Sequence, residues 1–235
     1  MKHPERLILI LGDQLDLQSS ALRDIDPKVD QIIMIESANE AQYVWTHKAK
    51  IALFLSAMRH FAVDLEKQGY PLTYIKSSPL PIVEVLREHI LQKKVKHLVC
   101  IEPGEWRLKQ ALEVLAKDLG IELEMREDEH FYCSRQEFIE WAADKKEFRL
   151  EYFYRLMRKR HNILVDREGN PEGGQWNFDQ DNRKPYPKKG PGIIDAPASF
   201  EVDAITQEVL DWIQKTYPDH PGSLDAFNWP VAREQ

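Results

Sequence analysis

Along the first half of the chain, apolar residues alternate between short unbroken runs and longer stretches in which they recur every three or four positions. Leu7-Ile8-Leu9-Ile10-Leu11 is cut off at once by Gly12-Asp13, which predicts a strand buried on both faces and ending in a sharp turn. Gln31-Ile32-Ile33-Met34-Ile35, stopping at Glu36, predicts a second strand. Leu72-Thr73-Tyr74-Ile75, His97-Leu98-Val99-Cys100-Ile101 and the stretch from Ile121 to Met125 predict three more. Between them lie helical patterns. Ser19 to Asp24 reads as a short helix. Ala38 to Gln68 carries Ile51, Phe54, Leu55, Met58, Phe61, Ala62 and Leu65 on one face and Gly69 at its end. Pro81 opens a helix bearing Ile82, Val85, Leu86 and Ile90, and a further helix bears Leu108, Leu112, Leu115 and Leu119 before Gly120. Strands alternating with helices impose parallel pairing and right-handed crossovers. The predicted fold is α/β: a Rossmann-like, doubly wound, five-stranded parallel sheet in the order 3-2-1-4-5, occupying residues 1–130.

The rhythm stops past Arg126. Residues 131–165 read as a helical segment. It contains one helix from Glu137 to Ala143, capped by Ser134, and another from Leu150 to Lys159 that mixes Tyr152, Phe153 and Tyr154 with Arg149, Arg155, Arg158, Lys159 and Arg160. Aromatics packed inward with cations displayed is the simpler account of that mixture, with nucleic-acid contact as the alternative. Residues 166–202, rich in Gly, Pro and Asn and without periodicity, read as an interdomain loop. Residues 203–235 hold a helix with Ile205, Val209, Trp212 and Ile213 on one face, then Phe227 to Gln235, which resembles the entrance to another helix. This last segment is expected to be the truncated start of a further helical domain.

Composition narrows the picture modestly. With 43% hydrophobic and 30% charged residues, the 235-residue chain has the profile of an ordinary globular protein. A net charge of -7 argues against nonspecific nucleic-acid binding by the whole surface. No apolar run is long enough to span a bilayer and the first residues lack a signal-peptide core, so no membrane partner is expected and the expected compartment is cytoplasmic. Cys100 and Cys133, the two cysteines, are too few for a disulfide framework or a structural metal site, and both are expected to be reduced and buried.

In the predicted order the first and fourth strands are neighbours whose outgoing helices lie on opposite faces. The switch point, where ligands bind in such sheets, then falls between Gly12-Asp13-Gln14-Leu15 and Glu102-Pro103-Gly104-Glu105-Trp106. No Gly-x-Gly-x-x-Gly or Walker pattern is present, so a ligand should not lead with a pyrophosphate. A hydrolase is disfavoured: there is no Gly-x-Ser-x-Gly elbow, and His47, His60, His89, His97 and His130 have no metal-ligand spacing. His47, close to Glu40 in the sequence, is the one histidine to note, and a helix-surface role suits it better.

Taken in order, several motifs resemble the N-terminal half of the iron-sulfur bacterial cryptochromes and photolyases, the deoxyribodipyrimidine photolyase-related group. They are Gly12-Asp13-Gln14-Leu15, Glu40-Ala41-Gln42-Tyr43-Val44, His47-Lys48-Ala49-Lys50-Ile51, Ser56-Ala57-Met58-Arg59-His60-Phe61-Ala62, Glu102-Pro103-Gly104-Glu105-Trp106, Glu151-Tyr152-Phe153-Tyr154-Arg155 and Gly174-Gln175-Trp176-Asn177-Phe178-Asp179. Each is weak alone and the ordered set is specific. The resemblance implies an antenna domain that binds 6,7-dimethyl-8-ribityllumazine, followed by an interdomain loop and a helical domain holding FAD and a 4Fe-4S cluster. The last of these is not in this chain, so the chain's partner would be its own C-terminal flavin domain, with DNA as the substrate of the intact protein. By this resemblance the antenna site would use Gly12, Asp13, Gln14, Leu15, Glu36, Glu40, Tyr43 and Phe54, with Glu102 and Trp106 from the fourth-strand loop. Arg183, Lys184, Lys188 and Lys189 would be DNA-phosphate contacts, and this chain would hold no catalytic residue and no metal. Phe54 also suits the helix core, and Glu40 also suits a helix-start carboxylate. Two alternatives are a stand-alone module for a nucleotide- or flavin-like metabolite, and the domain of a blue-light photoreceptor.

Overall fold

The computed structural model describes residues 3–235, apart from the side chains of Asp181 and Asn182; Met1 and Lys2, the first residues of the expected 1–130 domain, lie outside the described residues. The strands are β1 (Leu7–Ile10), β2 (Gln31–Ser37), β3 (Leu72–Ser78), β4 (His97–Ile101) and β5 (Glu122–Arg126). They form one sheet in the order β3-β2-β1-β4-β5, every pairing parallel. The Rossmann-like reading and its strand order are therefore observed. The helices are α1 (Ala38–Tyr43), α2 (Lys48–Lys67), α3 (Ile82–Lys93), α4 (Trp106–Leu119), α5 (Arg135–Ala142), α6 (Leu150–His161), α7 (Asp179–Asn182) and α8 (Ala204–Thr216).

Alternation along β1 divides the core. Leu7 and Leu9 pack with Leu86, Ile90, Leu112 and Leu115 of α3 and α4 on one face of the sheet. Ile8 and Ile10 pack with Met58, Phe61 and Leu65 of α2 on the other. A third cluster joins Ala49, Ile51 and Ala52 of α2 to Val209, Leu210 and Ile213 of α8, with Phe227 and Val231 beyond. The chain divides into two compact units. One runs to Asp128 and takes in Ala198–Gln235, and the other is Glu129–Pro197. Residues 203–235, expected as the entrance to a further domain, are here part of the sheet unit. Among the described residues no helix is long and apolar enough to cross a membrane.

Four local expectations need correction. Ser19–Asp24 is not a helix but a run of turns closed by Leu22 N–H donating to Ser19 O at 2.9 Å, because the Asp16 carboxylate and Ser19 hydroxyl compete for nearby amides. The stretch from Ala38 to Gln68 is two helices. Val44 is extended (φ -122°, ψ 129°), and His47 starts α2 anew by accepting from Ala49 N–H through Nδ1 at 3.1 Å. Phe227–Gln235 does not enter a helix: Phe227 and Val231 are buried, and Gln235 Oε1 caps a turn by accepting from Val231 and Ala232 N–H. Cys133 is only half-buried, whereas Cys100 is buried and its thiol is pushed up to about 12 by burial and then by the Glu102 charge.

In the second unit, Ser134 and Glu137 form a reciprocal capping box at the start of α5. The expected loop is not featureless, since it holds a Val165–Pro171 bridge, a 3-10 turn at Glu172–Gly174 and α7.

Candidate functional site

The carboxyl ends of β1, β2 and β4 enclose a cavity of about 350 Å³. Gly12 and Asp13 line it after β1, Glu36 and Ser37 at the end of β2, Glu40 and Ala41 on α1, and Pro103, Gly104 and Glu105 after β4. Thr46, Lys50, Ile51, Phe54, Leu55 and Met58 form the wall from α2 and the turn before it. A few polar groups around a mainly apolar interior is the usual composition of a small-molecule site. This is the switch point of a doubly wound sheet: the turns that follow β1 pack on one face and α4, which follows β4, packs on the other.

Of the residues expected there, Gly12, Asp13, Glu36, Glu40 and Phe54 line the cavity. A Cβ on Gly12 would come within 2.8 Å of Met58 Sδ, so close approach here serves the methionine wall. Asp13 is exposed, and its carboxylate has no hydrogen-bond or ion-pair partner among the described residues. Phe54 is 39% exposed at the cavity wall although it falls within the helical stripe.

Glu36 is engaged elsewhere. Its carboxylate accepts from Arg59 Nε at 2.8 Å and Nη2 at 3.0 Å, from the Tyr74 hydroxyl at 2.5 Å, and from Ser77 N–H and hydroxyl at 3.1 and 3.3 Å. The β2/β3 register shifts between Ile35 and Ser37, leaving an extra residue on β3, and Ser77 sits at φ +54°. The bulge turns two Ser77 donors onto Glu36, which offsets the cost of a left-handed serine. Burial and then the Glu36 charge raise the Tyr74 pKa far above its ordinary value. Burial alone would lower the Arg59 pKa, but hydrogen bonds and charge from Glu36, with Glu208 beyond, raise it instead. Glu36 is thus a buried anchor at the cavity floor.

The other expected residues do not line the cavity. Gln14 is buried and donates to Glu102 O at 3.2 Å, tying the β1 loop to the β4 loop. Leu15 packs into the second core cluster. Glu102 pairs with Lys109 at 2.7 Å, and Trp106 is 60% exposed at the start of α4. Tyr43 is exposed beneath Arg107, whose guanidinium carbon is 4.5 Å from the ring centre.

Two cations were missed. Lys50 lines the cavity four residues before Phe54, on the same helical face, with Nζ 6.0 Å from that ring. The Phe54 spacing was the signal available for finding it. Arg107 lies two residues beyond Glu105 and pairs with it at 2.7 Å and with Glu40 at 2.5 Å. The hydrogen bonds it donates to Glu105 and then to Glu40 raise its pKa further. His47 is the cap of α2, and its ring lies where a Cβ on Gly222 would fall.

In the second unit, Arg183, Lys184, Lys188 and Lys189 are all exposed. Trp176 is surrounded by Arg155, Arg158 and Lys159, with each cation 5.2–5.4 Å from a ring centre. Among the described residues no three His, Cys, Asp or Glu side chains cluster as metal ligands would.

Sheet topology defines a doubly wound α/β protein with a cavity at its switch point. The chain belongs to the deoxyribodipyrimidine photo-lyase-related protein family, whose model matches residues 8–229. It is similar to a (6-4) photolyase of Agrobacterium fabrum, with 39% identity across 97% of this chain and 45% of that protein. The chain thus spans about half the length of this curated relative. A solved structure of a bacterial class III photolyase from Agrobacterium tumefaciens is similar at 15% identity and a TM-score of 0.40, over 54% of this chain and 26% of the other.

Proposed function

We propose that this chain is the antenna-chromophore domain of a light-driven DNA-repair flavoprotein, and that its cavity holds 6,7-dimethyl-8-ribityllumazine. The observation that carries the reading is the 350 Å³ cavity, apolar along Ile51, Phe54 and Met58 and polar along Asp13, Glu40 and Lys50. That volume is at the lower end of the roughly 300–1,000 Å³ that small-molecule sites span, suiting one bicyclic ring with a short polyol tail. Phe54 offers a face for the ring, and Asp13 and Glu40 offer acceptors to ribityl hydroxyls. When bound, the lumazine absorbs near-ultraviolet and blue light and passes the excitation on. This chain's residues bind and orient it and shield it from water.

Membership of the photolyase-related family and 39% identity to a protein named (6-4) photolyase support repair of a DNA photoproduct by the whole protein. Electron donation to the lesion would come from FAD, and FAD and a 4Fe-4S cluster would belong to polypeptide beyond this chain. Arg183, Lys184, Lys188 and Lys189 would contact DNA phosphates, giving affinity without sequence information. Titration of the purified chain with the lumazine should quench its fluorescence and yield a complex absorbing in the near-ultraviolet to blue. Saturable binding of FMN or adenine nucleotides with no response to lumazine would overturn the reading in favour of a metabolite-binding module.

A further inference from the structure

Glu40 and Tyr43 sit on α1, which is only six residues long, buries no side chain of its own and has no side-chain cap at Ser37. Its other face, Ala38 and Ala41, touches the third core cluster through two methyl groups. So short a helix is not stable by itself. Glu40 and Tyr43 are three residues apart, on one face, and both meet Arg107 of α4, 67 positions from Glu40.

We propose that Arg107 is the positioning residue of the cavity, fixing α1 so that Glu40 presents one carboxylate oxygen to the ligand. The guanidinium divides its donors. Nε and Nη2 grip Glu105, at 2.7 and 3.0 Å, and Nη2 also reaches Glu40 Oε2 at 2.5 Å. Glu40 and Glu105 both line the cavity, so the arginine links its two polar rims from outside the lining. No hydrogen bond engages Glu40 Oε1 among the described residues, and it is the oxygen left to accept from a hydroxyl or ring N–H. The Tyr43 ring, its centre 4.5 Å from the guanidinium carbon, adds a cation–π contact to the same group. Lysine cannot reproduce this, because one ammonium lacks the planar fork that serves two carboxylates while lying on a ring. A rim so arranged favours a ligand that brings donors, such as a neutral polyol, over one that brings a phosphate.

This inference rests on the antenna reading, and two measurements separate their failures. The first needs no ligand: hydrogen exchange of the α1 amides in wild type, Arg107→Met and Arg107→Lys. Faster exchange at Ala38–Tyr43 in both variants, with β1 and β4 still protected, is expected. Unchanged exchange overturns the role of Arg107 whatever the cavity binds. The second is lumazine titration of the same proteins, read by Kd and by the absorption maximum of the complex. Both variants should bind about tenfold more weakly, the loss of one charge-assisted contact, with a displaced maximum. A wild-type protein that ignores lumazine overturns the antenna reading and this extension of it together. Tight, spectrally unchanged binding by Arg107→Met overturns the extension alone. Glu40→Gln in the Arg107→Met background should add little further weakening, and a fully additive loss also counts against the proposal.

Discussion

In the sheet unit Leu65, Leu86 and Leu112 are wholly withdrawn from water, whereas across Glu129–Pro197 the one buried side chain among the described residues is an arginine, Arg158. The sheet unit follows the ordinary logic of an α/β domain: two apolar clusters on the sheet faces and a third under α8. The second unit leaves Phe131, Tyr132, Phe148 and Leu150 each at least 65% exposed. It relies on polar fastening. Arg158 donates to the carbonyl oxygens of Ile163, Trp176 and Leu164 while its guanidinium lies near the Tyr154 and Trp176 rings. A buried ion pair in the sheet unit is supported by packing on every side, but a buried arginine in the second unit is itself the main support. The two should respond differently to loss of a single group.

The largest effect belongs to Glu36, whose pair with Arg59 is 1% and 4% exposed. Glu36→Gln should destabilise the sheet unit by about 3–5 kcal/mol, since it leaves a buried guanidinium without its main counter-charge. Urea unfolding followed by circular dichroism measures this. A double change, Glu36→Leu with Arg59→Met, should recover much of the loss. If the double variant is as unstable as the single one, hydrogen bonding to Tyr74 and Ser77 matters more than the charge pair.

Arg158→Met comes next and sharpens the contrast. Three carbonyls lose a cationic donor, which should cost about 2 kcal/mol of local stability. The effect should be confined to residues 163–177, seen as faster hydrogen exchange and earlier proteolysis there, with the unfolding midpoint of the sheet unit unmoved. A uniform loss across both units would show that they unfold together and would remove the distinction drawn above.

What could be read from sequence divides along the same line. Five strands, their order and the helix stripes were legible because burial on both faces writes itself as unbroken apolar runs, and helix packing as a period of three to four. Ser134 was legible as a cap because it stands just ahead of the helix it starts, and the structure adds Glu137, three residues on, as its reciprocal partner. The site was half legible. The topology placed Gly12 and Asp13 at the crevice and the family resemblance added Glu40, but the engagement of Glu36 depends on Arg59, 23 positions away, and on a bulge that no local pattern announces. Arg107 was invisible for the same reason, and Gln14, expected at the ligand, proved to be a bolt between two loops. The break before His47 was missed because Val44-Trp45-Thr46 interrupts a helical stripe without glycine or proline, leaving β-branched stiffness as the only sign.

The smallest expected effect concerns Asp24, which fastens the irregular turn after β1 to the sheet. Its carboxylate meets Arg126 Nη1 at 2.6 Å and Arg6 Nη1 at 2.8 Å. Hydrogen bonds from Arg126 and then Arg6 hold its pKa well below the usual aspartate range. A carboxylate with a lowered folded pKa adds stability that is complete above its unfolded value, near about 3.9, and is lost as pH falls through the folded value. The Asp24 side chain is 54% exposed, so solvent screening limits its contribution to roughly 0.2–1 kcal/mol. Asp24→Asn should therefore lower stability slightly at neutral pH, and the gap to wild type should persist to about pH 4 and close below it. Raising the salt concentration should narrow the gap at pH 7, as for any half-exposed pair. The second unit offers the control: the pKa of Glu137, a half-exposed side chain, is lowered by its hydrogen bonds with Ser134. Acid should loosen the α5 cap there without moving the unfolding midpoint of the sheet unit. An Asp24→Asn gap that stays constant down to strongly acidic pH would show that the turn is held by shape and packing, as the rest of the sheet unit is, and not by its arginines.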